Sequence, residues 1–117
     1  MAAFNWILID AACPACARSA LVRCQTHVAS SYDGDASRRF HDREYRLGQR
    51  MAWSQPGDPR HDEWRQEYGA ADSLAEEPCY SDCTACGAEL LVVIRFRDLV
   101  PAETLSISPA SSAGGQP

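Results

Sequence analysis

Two pairs of cysteines, each separated by two residues, constrain this chain more than any other feature. Cys13 and Cys16 lie in Cys-Pro-Ala-Cys, and Cys83 and Cys86 lie in Cys-Thr-Ala-Cys-Gly. A two-residue gap lets a tight turn direct both sulfur atoms toward one point, and two such turns supply four thiolates in a tetrahedron. We therefore predict one metal site formed by these four cysteines, with Zn²⁺ as the expected ion and iron as the alternative.

The separation of the two pairs sets the path of the chain. The 66 residues from 17 to 82 must leave the first pair and return, because Cys16 and Cys83 have to meet. One pair alone would also fit a redox dithiol, so separate redox or disulfide chemistry at each pair is the alternative interpretation.

The paired motifs resemble those of the zinc-ribbon, or rubredoxin-like, class of metal-binding proteins. Members of this class usually carry glycine after the second cysteine of each turn, where the backbone needs a positive φ. Gly87 holds that position in the second turn, whereas Ala17 holds it in the first. The resemblance covers the two turns and the strands beside them, and it implies a zinc-ribbon-like antiparallel sheet.

The distribution of apolar residues predicts a small β-rich fold, either all-β or α+β. Segments rich in β-branched and aromatic residues predict strands at 4–10, 20–28, 43–47, 88–97 and 105–107. One short helix is expected between Asp58, which can cap it, and Gly69, which can end it. Pro101 is expected to interrupt the chain before the last strand, and residues 70–78 are expected to form an acidic linker.

These segments predict one zinc-ribbon-like domain over residues 1–107, with an insert at about 31–78. Residues 108–117 are small, polar and rich in glycine and proline, so we expect a disordered tail. A chain of this size has a small hydrophobic core, so its stability is expected to depend on a metal cross-link.

The charge of the chain bears on its partners. The formal net charge is −5, and four thiolates with one Zn²⁺ add −4 + 2 = −2, which gives about −7. A surface that binds phosphates needs a positive field, so another protein is the expected partner. A nucleic-acid-binding ribbon is the alternative, with a basic strip of Arg38, Arg39, Arg43, Arg46 and Arg50. The chain has no lysine, a composition typical of a GC-rich, bacterial type of genome.

The remaining candidates for chemistry are weaker. Cys24 and His27 have metal-ligand spacing and could form a second site with Cys79, but a fourth ligand is not evident, so we interpret the two cysteines as buried thiols. His27, His41 and His61 are interpreted as ordinary polar residues. The sequence contains no phosphate-binding loop and no His-Glu-x-x-His helix, and its carboxylates are scattered.

A metal with four protein ligands has no open position for water and is structural by default. The sequence therefore predicts a non-enzymatic protein-interaction or adaptor module, whose insert presents Trp53, Trp64 and Tyr68 to a partner. A rubredoxin-like iron electron carrier is the alternative. No basic residue precedes the short apolar run in residues 1–9, so we expect neither a targeting signal nor a membrane span, and we place the protein in the cytoplasm.

Overall fold

The computed structural model describes residues 4–30, 41–53, 57 and 74–110. The regular elements in this part of the chain are six strands: β1 (Asn5–Ala12), β2 (Ser19–Thr26), β3 (Glu44–Arg46), β4 (Leu74–Cys83), β5 (Glu89–Arg97) and β6 (Val100–Pro109). They form one sheet in the order β3-β1-β2-β4-β5-β6. All neighbours are antiparallel except β1 and β3, which run parallel.

One face of the sheet carries the hydrophobic core. Along β5, Leu90, Val92, Ile94 and Phe96 alternate with more exposed residues and are themselves fully buried, as the period of two predicts for a strand with one inward face. Strands β1 and β2 add buried residues such as Ile7 to the same core. The strands predicted from the sequence at β1, β2, β3 and β5 are therefore confirmed.

The sheet curls because its two edges meet at the end remote from the cysteine turns. The Gly48 N–H, just beyond β3, donates to the Pro101 carbonyl of β6 at 2.8 Å. The Met51 N–H donates to the Leu99 carbonyl in the β5–β6 turn, also at 2.8 Å. Met51 and Trp53 are buried in the core as a result.

The predicted fold class requires correction. The prediction of a zinc-ribbon-like antiparallel sheet with one short helix is wrong. The sheet is mixed, because β1 and β3 pair in parallel, and all the elements in the described residues are strands. The segment 58–69 expected to form the helix lies outside the described residues. Strand β3 belongs to the segment expected to form an insert, but it pairs with β1 and extends the sheet at that edge.

Two further expectations about the chain are wrong. Residues 74–78 are not a linker, since they form the first half of β4 and place Ala75 and Glu77 in the interior. Pro101 does not interrupt the chain but is the second residue of β6. Proline is accepted there because β6 is an edge strand, where a missing N–H need not remove a ladder bond.

Strand β6 continues through Pro109, and residues 111–117 of the expected tail lie outside the described part of the chain. Within the residues that the structure describes, no helical segment has the length and hydropathy needed to cross a membrane.

Candidate metal centre

The two cysteine pairs lie at the tips of two neighbouring hairpins. Cys13 directly follows β1, and the chain turns through Cys16 into β2. Cys83 is the last residue of β4, and the chain turns through Cys86 into β5. Because β2 pairs with β4 in the middle of the sheet, the two tips are held side by side at one end.

The two turns have the same backbone hydrogen bonds. In the first turn the Cys13 N–H donates to the Arg18 carbonyl at 2.9 Å, and the Ala17 N–H donates to the Cys13 carbonyl at 2.8 Å. The second turn has the equivalent two bonds: the Cys83 N–H donates to the Ala88 carbonyl, and the Gly87 N–H donates to the Cys83 carbonyl. Two sequences with different composition therefore adopt one conformation.

This conformation needs a left-handed backbone after the second cysteine. Gly87 has φ +75°, and Ala17 has φ +61° at the equivalent position of the first turn. Glycine adopts this region without a steric penalty, whereas alanine does not. The first turn is thus as regular as the second, although alanine makes it less favourable.

The four sulfur atoms converge. All lie within 4.8 Å of one another, with Cys13 Sγ 3.8 Å from Cys86 Sγ and Cys16 Sγ 4.0 Å from Cys83 Sγ. A tetrahedron with Zn–S bonds of about 2.3 Å has sulfur–sulfur edges of about 3.8 Å. The residues therefore fit a four-coordinate thiolate metal ion, and the structure brings together all four cysteines predicted as ligands.

The site is partly open to solvent. Cys13 and Cys83 are fully buried, Cys16 is half-buried and Cys86 is exposed. Each turn thus contributes one buried cysteine and one that is more accessible to solvent.

Burial and local hydrogen bonds shift the pKa values of Cys13 and Cys86 in opposite directions. Burial opposes ionisation of Cys13, but the backbone N–H groups of Cys16 and Ala15 and the neighbouring thiols outweigh it and lower the pKa of Cys13 to about 7. The Ala15 N–H lies 3.3 Å from Cys13 Sγ. The Ala88 backbone favours the Cys86 thiolate, but loss of solvent and the other thiols raise the pKa of Cys86 to about 11. A metal ion displaces the protons of all its thiol ligands.

Thr84 fixes the second turn against the first hairpin, a role that the sequence analysis missed. Its backbone N–H and its hydroxyl both donate to the Leu21 carbonyl, at 3.0 and 2.8 Å. The signal in the sequence is a threonine directly after the first cysteine of a turn, where a hydroxyl can bond to nearby backbone.

A buried carboxylate, Glu77, was also missed. Its side chain accepts a hydrogen bond from the Thr26 hydroxyl and one from the His27 N–H, which lies 3.0 and 3.3 Å from the two carboxylate oxygens. Glu77 is only 5% exposed. The signal is its place two residues before Cys79 and six before Cys83, on the inward side of a strand with period two.

The other cysteines stay apart from the candidate metal centre. Cys24 and Cys79 are buried free thiols, as interpreted from the sequence. Burial raises the pKa of Cys24 to about 11 and strongly raises that of Cys79. Among the described residues, the cluster of Cys13, Cys16, Cys83 and Cys86 is the one group of three or more potential ligands within reach of an ion, so Cys24 and Cys79 form no second site with His27.

The residues predicted to contact a partner are placed as follows. Trp53 is only 7% exposed and packs in the core, so it does not present a binding surface. Arg46 Nη1 lies 3.4 Å from Asp10 Oδ2, and Arg50 Nη1 donates to the Asp98 carbonyl at 3.0 Å. Trp64 and Tyr68 lie outside the described residues, as do Arg38 and Arg39 of the predicted basic strip.

Comparison of the chain with protein-family models, with curated proteins and with solved structures gives no match. The indication of function in the described residues comes instead from the four-cysteine cluster, which could hold a metal ion.

Proposed function

We propose that the protein binds one structural Zn²⁺ through Cys13, Cys16, Cys83 and Cys86. The observation that carries this proposal is the convergence of four sulfur atoms within 4.8 Å, with two separations close to the edge of a zinc–thiolate tetrahedron. Four protein ligands complete the coordination of zinc, so water has no position at which it could be activated. The ion would join the β1–β2 hairpin to the β4–β5 hairpin.

Elemental analysis of the purified protein, with its visible spectrum, tests this proposal. We expect one zinc per chain and no colour. The Cys83→Ser variant should lose the zinc, and the Cys24→Ser variant, which changes a buried cysteine outside the cluster, should retain it. A red protein with one iron per chain would replace zinc by iron and would support electron transfer instead. Absence of metal from freshly prepared, reduced protein would overturn the proposal.

We further propose that the zinc-bound fold is a protein-interaction module rather than an enzyme. Support comes from the outer face of the sheet, where Tyr80 is 73% exposed and pairs across the strands with Leu91. Exposed tyrosines are frequent anchors in protein interfaces. Six free thiols are also suited to a reducing compartment such as the cytoplasm.

Affinity purification with the unchanged chain and two variants as baits tests the interaction role. Tyr80→Ala should lose a partner that the unchanged chain captures, because it removes an aromatic anchor without touching the core. Ser106→Ala, a change at another exposed position on β6, is the control and should keep that partner. If the Tyr80→Ala and Ser106→Ala baits capture the same proteins in the same amounts, Tyr80 is not an anchor and this part of the proposal fails.

A further inference from the structure

We propose that the metal centre is also a hydroperoxide-sensitive switch, in which oxidation of Cys86 leads to a disulfide with Cys13 and to loss of the metal. This inference rests on the proposed zinc site. It arises from the unequal exposure of the four cysteines, which zinc binding does not require, together with the contact between Cys86 and a buried cysteine of the other turn.

Of the four cysteines in the cluster, Cys86 is the most open to solvent and Cys16 is half-buried. Cys86 is exposed, whereas Cys13 and Cys83 have no exposed surface. The next residue is also open to its surroundings, because a Cβ atom placed on Gly87 would meet no heavy atom within 4 Å apart from its chain neighbours. With a metal bound, all four sulfur atoms are thiolates, so accessibility decides which of them a small oxidant reaches first.

The partner for the oxidised sulfur is already in place. Cys13 Sγ lies 3.8 Å from Cys86 Sγ, and a disulfide bond of about 2.05 Å requires the two atoms to approach by roughly 1.7 Å. Cys24 and Cys79 are buried in the core between the strands and cannot be reached by the same oxidant. All four sulfur atoms of the cluster lie within 4.8 Å of one another, and we infer that the 3.8 Å contact between the turns makes Cys13 the partner of Cys86.

The chemistry balances in two steps. The Cys86 thiolate attacks the terminal oxygen of a hydroperoxide, the O–O bond breaks, and the sulfur becomes a sulfenic acid while alkoxide, or hydroxide in the case of hydrogen peroxide, departs. The Cys13 thiolate then attacks the Cys86 sulfur and expels hydroxide. The two thiolates together lose two electrons, and the O–O bond gains them.

The product keeps the hairpins joined while the metal loses two of its four ligands. A Cys13–Cys86 disulfide links the end of β1 to the turn after β4, which are the same two places that the metal would link. We therefore expect oxidation to release the metal without separating the two hairpins, and reduction followed by fresh zinc to restore the original state.

The test uses the unchanged, zinc-loaded protein with one equivalent of hydrogen peroxide. Released zinc is followed with a chromogenic chelator, and the disulfide is located by alkylation, proteolysis and mass spectrometry. We expect loss of the zinc together with a Cys13–Cys86 linkage, unmodified Cys24 and Cys79, and an unchanged far-ultraviolet circular dichroism spectrum. The Cys24→Ser variant is the control and should release zinc at the same rate.

Several outcomes would overturn the switch. A disulfide within one turn, such as Cys83–Cys86, would show that the cross-turn contact does not direct the reaction. Retained zinc after peroxide treatment, or oxidised Cys86 with no disulfide, would also contradict it while leaving the zinc site intact. Zinc content measured before peroxide separates the two proposals, because a protein that never held zinc contradicts both.

Discussion

Removing the metal should destabilise the fold by an amount set by the length of chain that the metal closes. Cys13 and Cys86 are 73 positions apart. If the metal acts only as a cross-link, the loop-entropy relation used for disulfides gives about 4.4 kcal/mol at 25 °C for a loop of this length. Small domains are stable by only about 5–15 kcal/mol in total, so the loss would be a large share of the whole.

The assay is urea unfolding of zinc-loaded protein and of protein treated with a chelator under reducing conditions. With a urea dependence of about 1–3 kcal/mol per molar, the midpoint should fall by roughly 1.5–4 M, or the metal-free chain should show no folded baseline. The Cys83→Ser variant is the control, and the chelator should not change its midpoint. A fall of less than about 0.5 M in the unchanged chain would refute the reasoning, since a cross-link between these hairpins could not contribute so little.

Four further predictions concern single residues. Ala17→Gly should stabilise the zinc-loaded protein and Gly87→Ala should destabilise it, each by about 1 kcal/mol in urea unfolding, because both positions have positive φ. Phe96→Ala should cost about 3–5 kcal/mol in the same assay, because Phe96 is fully buried. Glu77→Ala should cost about 2–3 kcal/mol without changing the zinc content, because the carboxylate accepts bonds from buried groups. Cys24, whose pKa is raised to about 11, should resist iodoacetamide in the folded state; it ionises first in the unfolded chain, so its contribution to stability should fall as the pH rises above about 9.

The local parts of the structure could be read from the sequence because their signals are local. The alternation of Leu90, Val92, Ile94 and Phe96 predicts β5 and its inward face, and the structure confirms both. The spacing of the cysteines likewise predicts which four sulfur atoms come together. In β5 and within each cysteine pair, the side chains that determine the feature are within a few residues of one another, and the need of one metal ion for four ligands predicts that the two distant pairs meet.

The missed parts depend on contacts between distant segments. The first half of β4 is acidic and contains a proline, so its composition resembles that of a linker, and only its pairing with β5 shows it to be a strand. The inward position of Glu77 follows from that pairing. Strand β3 pairs in parallel with β1, and Gly48 and Met51 bond to the opposite edge of the sheet. These contacts join segments that are distant in the sequence, so no local pattern encodes them.

The position of the four-cysteine cluster indicates what a bound metal would contribute to this sheet. Strands β1 and β2 pair over eight residues and β4 and β5 over nine, but β2 and β4 pair over only three, Val22–Cys24 with Ser81–Cys83. The two hairpins therefore meet along a short ladder. Cys83 ends that ladder on one side, where the metal would join the turns, and Glu77 bonds to Thr26 and His27 beyond its other side. The four-cysteine cluster thus lies at one end of this short ladder, and the Glu77 hydrogen bonds lie beyond the other. We expect loss of the metal or of the Glu77 side chain to separate β2 from β4 before the β5 core unfolds.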